Sequence, residues 1–121
     1  LVRKLCPKCK RERQFTEEEL AIIKKIEERY NVEFKIEKPV TYDSVGCEYC
    51  NNSGFFDRIA VFETLLVTDE IKELISKDAS TLEIRNQAYK QGYRPLVVDG
   101  IKKVINGLTT LEELNSKLLF Y

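Results

Sequence analysis

Four cysteines fall in two tight pairs, Cys6-Pro7-Lys8-Cys9 and Cys47-Glu48-Tyr49-Cys50, and the chain has no others. Two residues between thiolates let a tight turn aim both sulfurs at one ion, and two such knuckles complete a tetrahedral shell. Cys6, Cys9, Cys47 and Cys50 are therefore the candidate metal ligands, and one structural Zn2+ is the ion that best fits them. Four thiolates fill the shell, so the open position of a catalytic zinc site is missing. Other chemistries fit less well. Four cysteines also admit three disulfide pairings, but the chain carries no signal-peptide pattern. A redox pair belongs on a thioredoxin-like βαβ unit, which is not visible here. Haem attachment needs a histidine after the second cysteine, and the chain has no histidine. Rubredoxin-like iron uses the same ligands, but a charged helix between the pairs speaks against it. Cysteines buried without a metal are the remaining reading.

The elements that must position these thiols are marked locally. Thr16-Glu17-Glu18-Glu19 is a capping box. Leu20, Ile23 and Ile26, with Ile22 and Tyr30, form a helix-period apolar stripe over about residues 17–30. Val32, Phe34 and Ile36 alternate with charged residues and predict a short strand ended by Pro39. This insert is expected to pack its stripe against the knuckles, which are too small to hold a core of their own. After the turn cluster Asn51-Asn52-Ser53-Gly54, the stretch Phe55 to Val67 predicts a strand. Glu63 is unusual amid its apolar neighbours and reads as a solvent-facing or paired carboxylate on a strand edge. Residues 1–67 are expected to form a tetracysteine lobe, with strand region 55–67. Residues 68–121 are expected to form a helical lobe: Asp69 caps its first helix, and Ser80-Thr81-Leu82-Glu83 opens a second that closes at Gly92. Pro95 sits in the first turn of a third helix, which closes at Gly107, and Thr109-Thr110-Leu111-Glu112-Glu113 opens the last. The fold class is α+β: a zinc-knuckle lobe with a short β-sheet and one inserted helix, followed by a compact bundle of short helices.

Composition narrows the function. The chain has 121 residues, 43% of them hydrophobic, enough for one ordinary domain or two small lobes. Lysine and arginine balance aspartate and glutamate at 20 each, unlike a general nucleic-acid binder. No apolar run approaches the roughly 20 residues of a membrane span. A phosphate-binding G-x-x-x-x-G-K-[ST], a G-x-G-x-x-G, a nucleophile elbow and a histidine base are all missing from the sequence. Catalytic residues are accordingly not assigned to this chain, nor is a cofactor-binding motif. The start at Leu1 reads as that of a piece cut from something larger.

Four blocks in order carry a resemblance. Leu1-Val2-Arg3-Lys4-Leu5-Cys6-Pro7-Lys8-Cys9-Lys10 and Val45-Gly46-Cys47-Glu48-Tyr49-Cys50-Asn51-Asn52-Ser53-Gly54-Phe55 are similar to the segment after the nucleotide-binding core in secretion ATPases of the type II secretion and type IV pilus assembly family. Arg58-Ile59-Ala60-Val61-Phe62-Glu63 resembles that family's G-R-x-x-[hydrophobic]-[YF]-E stretch. Asp99 to Glu113 resembles its closing helices. Almost the whole chain is covered, with gaps in the 11–44 insert. The charged stretch 16–38 and Asp57, where the family usually has glycine, depart from the pattern; Asp tolerates turn conformations better than most residues.

The resemblance implies a cytoplasmic, hexameric parent ATPase, peripheral at the inner face of the inner membrane. It would power type II protein secretion or assembly of a type IV pilus or pseudopilus. Its ATP and Mg2+ sites would lie upstream of Leu1, and this chain would be its non-catalytic, zinc-binding C-terminal portion. The implied partners are the inner-membrane platform protein and neighbouring ATPase subunits, with no nucleic acid and no direct membrane insertion. Retraction ATPases of the wider superfamily lack the tetracysteine motif, which favours an assembly or export motor. The exposed-looking basic start (Arg3, Lys4, Lys8, Lys10, Arg11, Arg13) is a candidate contact surface. The alternative is a free-standing zinc-ribbon module that binds nucleic acid through the same basic start.

Overall fold

Thr16 and Glu19 start the longest helix by reciprocal capping. The Thr16 hydroxyl accepts the Glu19 N–H, and a Glu19 carboxylate oxygen accepts the Thr16 N–H. In this computed structural model, which describes residues 1–37 and 39–121, helix α1 spans Glu17–Tyr30 and ends at Asn31 in the left-handed region. The last residue of the charged 16–38 insert, Lys38, lies outside the described residues.

The strands are shorter and more numerous than the sequence predicts. Strand β1 (Val2–Leu5) pairs antiparallel with β4 (Phe55–Ile59), and β2 (Arg11–Gln14) pairs antiparallel with β3 (Val40–Asp43). The strand expected over Phe55 to Val67 stops at Ile59. Ile59 faces Val2, and among the described residues no strand lies opposite 60–67. The strand expected at Val32, Phe34 and Ile36 does not form. The Val32 and Phe34 N–H groups instead donate back to Glu27, to its carbonyl and its carboxylate. The alternation still has meaning, because Phe34 is buried and Val32 and Ile36 pack against the core.

The free edge of β1 is closed by Leu108, Thr109 and Glu113, while two residues of β4 are met by local side-chain bonds. Along β1, the Leu5 N–H donates to the Leu108 carbonyl, the Arg3 N–H to Glu113, and the Thr109 hydroxyl to the Arg3 carbonyl. Along β4, the Ser53 hydroxyl accepts the Phe55 N–H and donates to the Phe55 carbonyl, while the Asp57 carboxylate accepts the Arg58 N–H. A closed β1 edge does not template pairing with other chains. Asp57 has φ +73 and sits where the β1–β4 register shifts, a β-bulge that favours residues tolerant of the left-handed region.

The helices α2 (Asp69–Ser76), α3 (Thr81–Lys90), α4 (Leu96–Ile105) and α5 (Leu111–Leu118) follow the local signals closely. Thr68, not Asp69, caps α2 through its hydroxyl; Ser80 and Thr110 cap α3 and α5. Pro95 immediately precedes α4 instead of lying within its first turn.

Two compact units result, one of Leu1–Val61 with Leu96–Tyr121, the other of Phe62–Pro95. This grouping differs from a division at residue 67, since α4 and α5 belong with the cysteine-bearing strands. The core shows why. Val97, Val98, Ile101 and Val104 bury most of the surface of α4 and cluster with Ile23 and Ile26 of α1, Phe15, Phe34, Val2, Leu111 and Leu114. The α1 stripe thus faces this helical core and not the knuckles, which offer few apolar side chains. In the second unit, α2 packs on α3 with Ile71 and Ala88 buried. Glu63 is paired there, as a carboxylate accepting the Tyr93 hydroxyl, although it lies beyond the end of β4. That bond pushes the Tyr93 pKa up to about 12.

Candidate metal centre

Each knuckle is built by its own backbone. After β1 ends at Leu5, the chain turns so that the Lys10 N–H donates to the Cys6 carbonyl. At the second pair, Glu48–Cys50 forms a single 3-10 turn. Asn51 and Asn52 then follow in the left-handed region, with the Asn52 N–H donating to the Cys47 carbonyl. Asparagine tolerates that region better than most residues. Gly54 (φ +81) brings the chain back, and its carbonyl accepts the Cys6 N–H, tying one knuckle to the other. A Cβ at Gly54 would lie 2.6 Å from the Ser44 side chain, so the crossing is too close for any other residue.

The four sulfurs converge. They all lie within 4.8 Å of one another, with Cys6–Cys47 and Cys9–Cys50 at 3.8 Å and Cys47–Cys50 at 3.7 Å. Tetrahedral Zn–S bonds of about 2.3 Å would place sulfurs about 3.8 Å apart. The four cysteines are thus positioned to hold a metal ion, and the donor set suits a soft, four-coordinate one. Cys6 and Cys50 are buried; Cys9 and Cys47 are half-buried.

The outer shell favours thiolates. The Gly46 N–H donates to Cys9 Sγ, and the Cys47 and Gly54 N–H groups donate to Cys50 Sγ, each at 3.3 Å. Such donors orient metal ligands and stabilise their negative charge. Burial pushes the Cys50 thiol up, but the two N–H donors together with hydrogen bonds from the Cys47 and Cys9 thiols outweigh it and bring its pKa down to about 6. At Cys9 burial prevails over the Gly46 N–H, and neighbouring thiols add to it, so its pKa rises to about 11. Four thiols this close oppose one another's ionisation unless a cation is shared.

The basic start is less available than its composition implies. Arg3 makes a two-pronged pair with Glu113, whose side chain is 2% exposed: Nε and Nη2 donate to Oε1 at 3.0 and 2.9 Å. Arg13 bridges Glu19 and Asp43. Lys10 donates to the Gly107 carbonyl and lies over the Tyr42 ring. Lys4, Lys8 and Arg11 remain, with Lys8 5.5 Å from the Tyr49 ring centre. Sequence reading missed the Arg3–Glu113 pair. Glu113 stands at the third position of a capping box, and the Thr110 hydroxyl does accept its N–H, but its carboxylate goes to Arg3, 110 residues away. No local signal marks such a partner.

Among the described residues no helix is long and apolar enough to cross a membrane. Comparison with known proteins converges on one group. The family described as Type II/IV secretion system protein matches residues 1–116. The chain is 34% identical over 114 residues to the type IV pilus assembly ATPase PilB of Myxococcus xanthus, covering 94% of this chain and 19% of that protein. It is 35% identical over 120 residues to PilB of Thermus thermophilus (98% and 13%). To the type II secretion system ATPase E of Vibrio cholerae it is 33% identical over 117 residues (94% and 21%). The chain therefore spans about a fifth or less of these relatives' length. With a family match over nearly all its residues and relatives of this identity along the same stretch, the chain belongs to the Type II/IV secretion system protein family.

Proposed function

We propose that this chain is the zinc-binding, non-catalytic C-terminal portion of a hexameric ATPase that powers type II secretion or type IV pilus assembly. Cys6, Cys9, Cys47 and Cys50 hold one structural Zn2+. ATP and Mg2+ bind in a nucleotide core upstream of Leu1. The observation that carries the metal reading is the 3.7–3.8 Å sulfur spacing. Zinc is favoured over iron, whose rubredoxin-like site uses the same ligands, because the charged helix α1 lies between the two cysteine pairs, and a structural zinc site contributes on the order of 10 kcal/mol to folding. Membership in the family supports the motor reading, since its named relatives are secretion and pilus assembly ATPases.

In this reading the lobe is a rigid accessory on the cytoplasmic motor at the inner face of the inner membrane. It contacts a neighbouring subunit or the inner-membrane platform protein through the cations left uncommitted, Lys4, Lys8 and Arg11. The nucleic-acid alternative loses ground here, because Lys10 and Arg13 are engaged within the chain. Elemental analysis of protein purified without added metal tests the site. About one zinc per chain, with loss of circular dichroism on chelation, is the expected outcome; no metal and no free thiols would overturn it. Retained pull-down of the platform protein by a Lys4→Glu/Lys8→Glu/Arg11→Glu variant would exclude the platform contact through these cations.

A further inference from the structure

Arg58 has no role in the metal centre or the core, yet the fold places it with care. It stands directly across the β1–β4 pair from Arg3. Like charges at opposed positions destabilise a strand pair. Arg3 is neutralised by Glu113. Arg58 is not: among the described residues no carboxylate lies within ion-pair distance of Arg58 or of Lys117. Both line the same cleft of about 590 Å³, together with Arg3, Ser53, Phe55 and Asp57. Three cations from three elements, β1, β4 and α5, thus meet two carboxylates: Glu113, which is bound to Arg3 and also feels the charge of Lys117, and Asp57, which is held to the Arg58 N–H.

The cleft is also preorganised. Glu113 takes Nε and Nη2 of Arg3, and the guanidinium lies 4.2 Å from the Phe55 ring centre, so its remaining N–H groups are held in one orientation. The bulge at Asp57 determines where Arg58 leaves the strand. A planar guanidinium held by a carboxylate and a ring loses little further freedom on binding an oxyanion.

We propose that this cleft is a binding site for a phosphate group, with Arg58 and Lys117 as its principal ligands and Arg3 as a fixed third donor. A dianion between them converts the Arg3–Arg58 repulsion into two attractions and gives Lys117 a direct ion-pair partner. The inference does not depend on the identity of the metal.

The test is calorimetric titration of the zinc-loaded chain with inorganic pyrophosphate at low salt. Saturable binding is expected, weakened about tenfold by Arg58→Ala and by Lys117→Ala, equivalent to about 1.4 kcal/mol each. Arg58→Lys should retain most of it, and Lys24→Ala, on the exposed face of α1, all of it. Arg58 and Lys117 are exposed, so zinc content and circular dichroism should stay unchanged in every variant, which separates failure of this site from failure of the metal centre. Co-sedimentation with phosphatidylcholine vesicles, with and without phosphatidylglycerol, identifies the source. Variant-sensitive vesicle binding assigns a lipid headgroup; variant-sensitive pyrophosphate binding without it assigns a soluble phosphate. Absence of both, or binding equally sensitive to Lys24→Ala, overturns the proposal.

Discussion

Cys50 and Glu113 are the two side chains whose surroundings are most at odds with ordinary surface behaviour. Cys50 receives two backbone N–H groups and is buried. Cys50→Ser would replace a soft thiolate with a hydroxyl that stays protonated, so stoichiometric binding of added Zn2+ at the proposed site should be abolished in a competition titration against a chromogenic chelator. Glu113 is buried beside the half-exposed Arg3. Burial works against its charge, but the bonds from Arg3 outweigh it and hold the carboxyl below its usual 4.5. A lowered native pKa means that the ion pair's stabilisation is complete above the ordinary carboxylate range and is lost as pH falls below about 4.5. Glu113→Gln should cost about 1–3 kcal/mol at neutral pH. In urea denaturation it should also flatten the decline of stability below that pH.

At the scale of elements, two close geometries carry predictions. Asp57 holds φ +73 at the β-bulge. Asp57→Gly should be nearly neutral, trading a lost acceptor for Arg58 N–H against relieved backbone strain, whereas Asp57→Val should cost about 1–2 kcal/mol in thermal unfolding. Equal effects of the two would show that the backbone there is not constrained. The second is the crossing of α4 and α5. A Cβ at Gly100 would lie 2.4 Å from Leu114 Cδ1, and Leu114 is fully buried. Gly100→Ala should therefore cost about 1–3 kcal/mol by overpacking. A stability unchanged from the parent would mean that the helices can part without loss.

For the molecule as a whole, the turn between α4 and α5 is fastened to the cysteine-bearing segment at Leu5, Lys10 and Arg3, through Leu108, Gly107 and Thr109. Chelation should consequently remove hydrogen-exchange protection from residues 1–61 and 96–121 together, as one cooperative unit. Protection that persists in α4 and α5 while the knuckles lose theirs would show that the two are energetically separate.

How much of this was legible follows from the range of each interaction. The cysteine pairs, the capping of α1, α3 and α5, and the turn residues after Cys50 act over a few positions, so their residue types announce them. The mixed α+β class and the family were readable for the same reason: motifs are local. Strands β2 and β3 were not, because Arg11-Glu12-Arg13-Gln14 has no strand composition and pairs only because Val40–Asp43 is brought alongside it. Nor was the end of β4, which depends on how far a partner strand extends. The sequence alone determined the thiol pairs and where helices start. Only the tertiary structure decided that α4 and α5 join the cysteine-bearing unit, that Glu113 leaves its helix cap for Arg3, and that Arg58 meets Lys117 in one cleft. Those outcomes rest on burial and charge pairing between residues far apart in the chain, which no local pattern encodes.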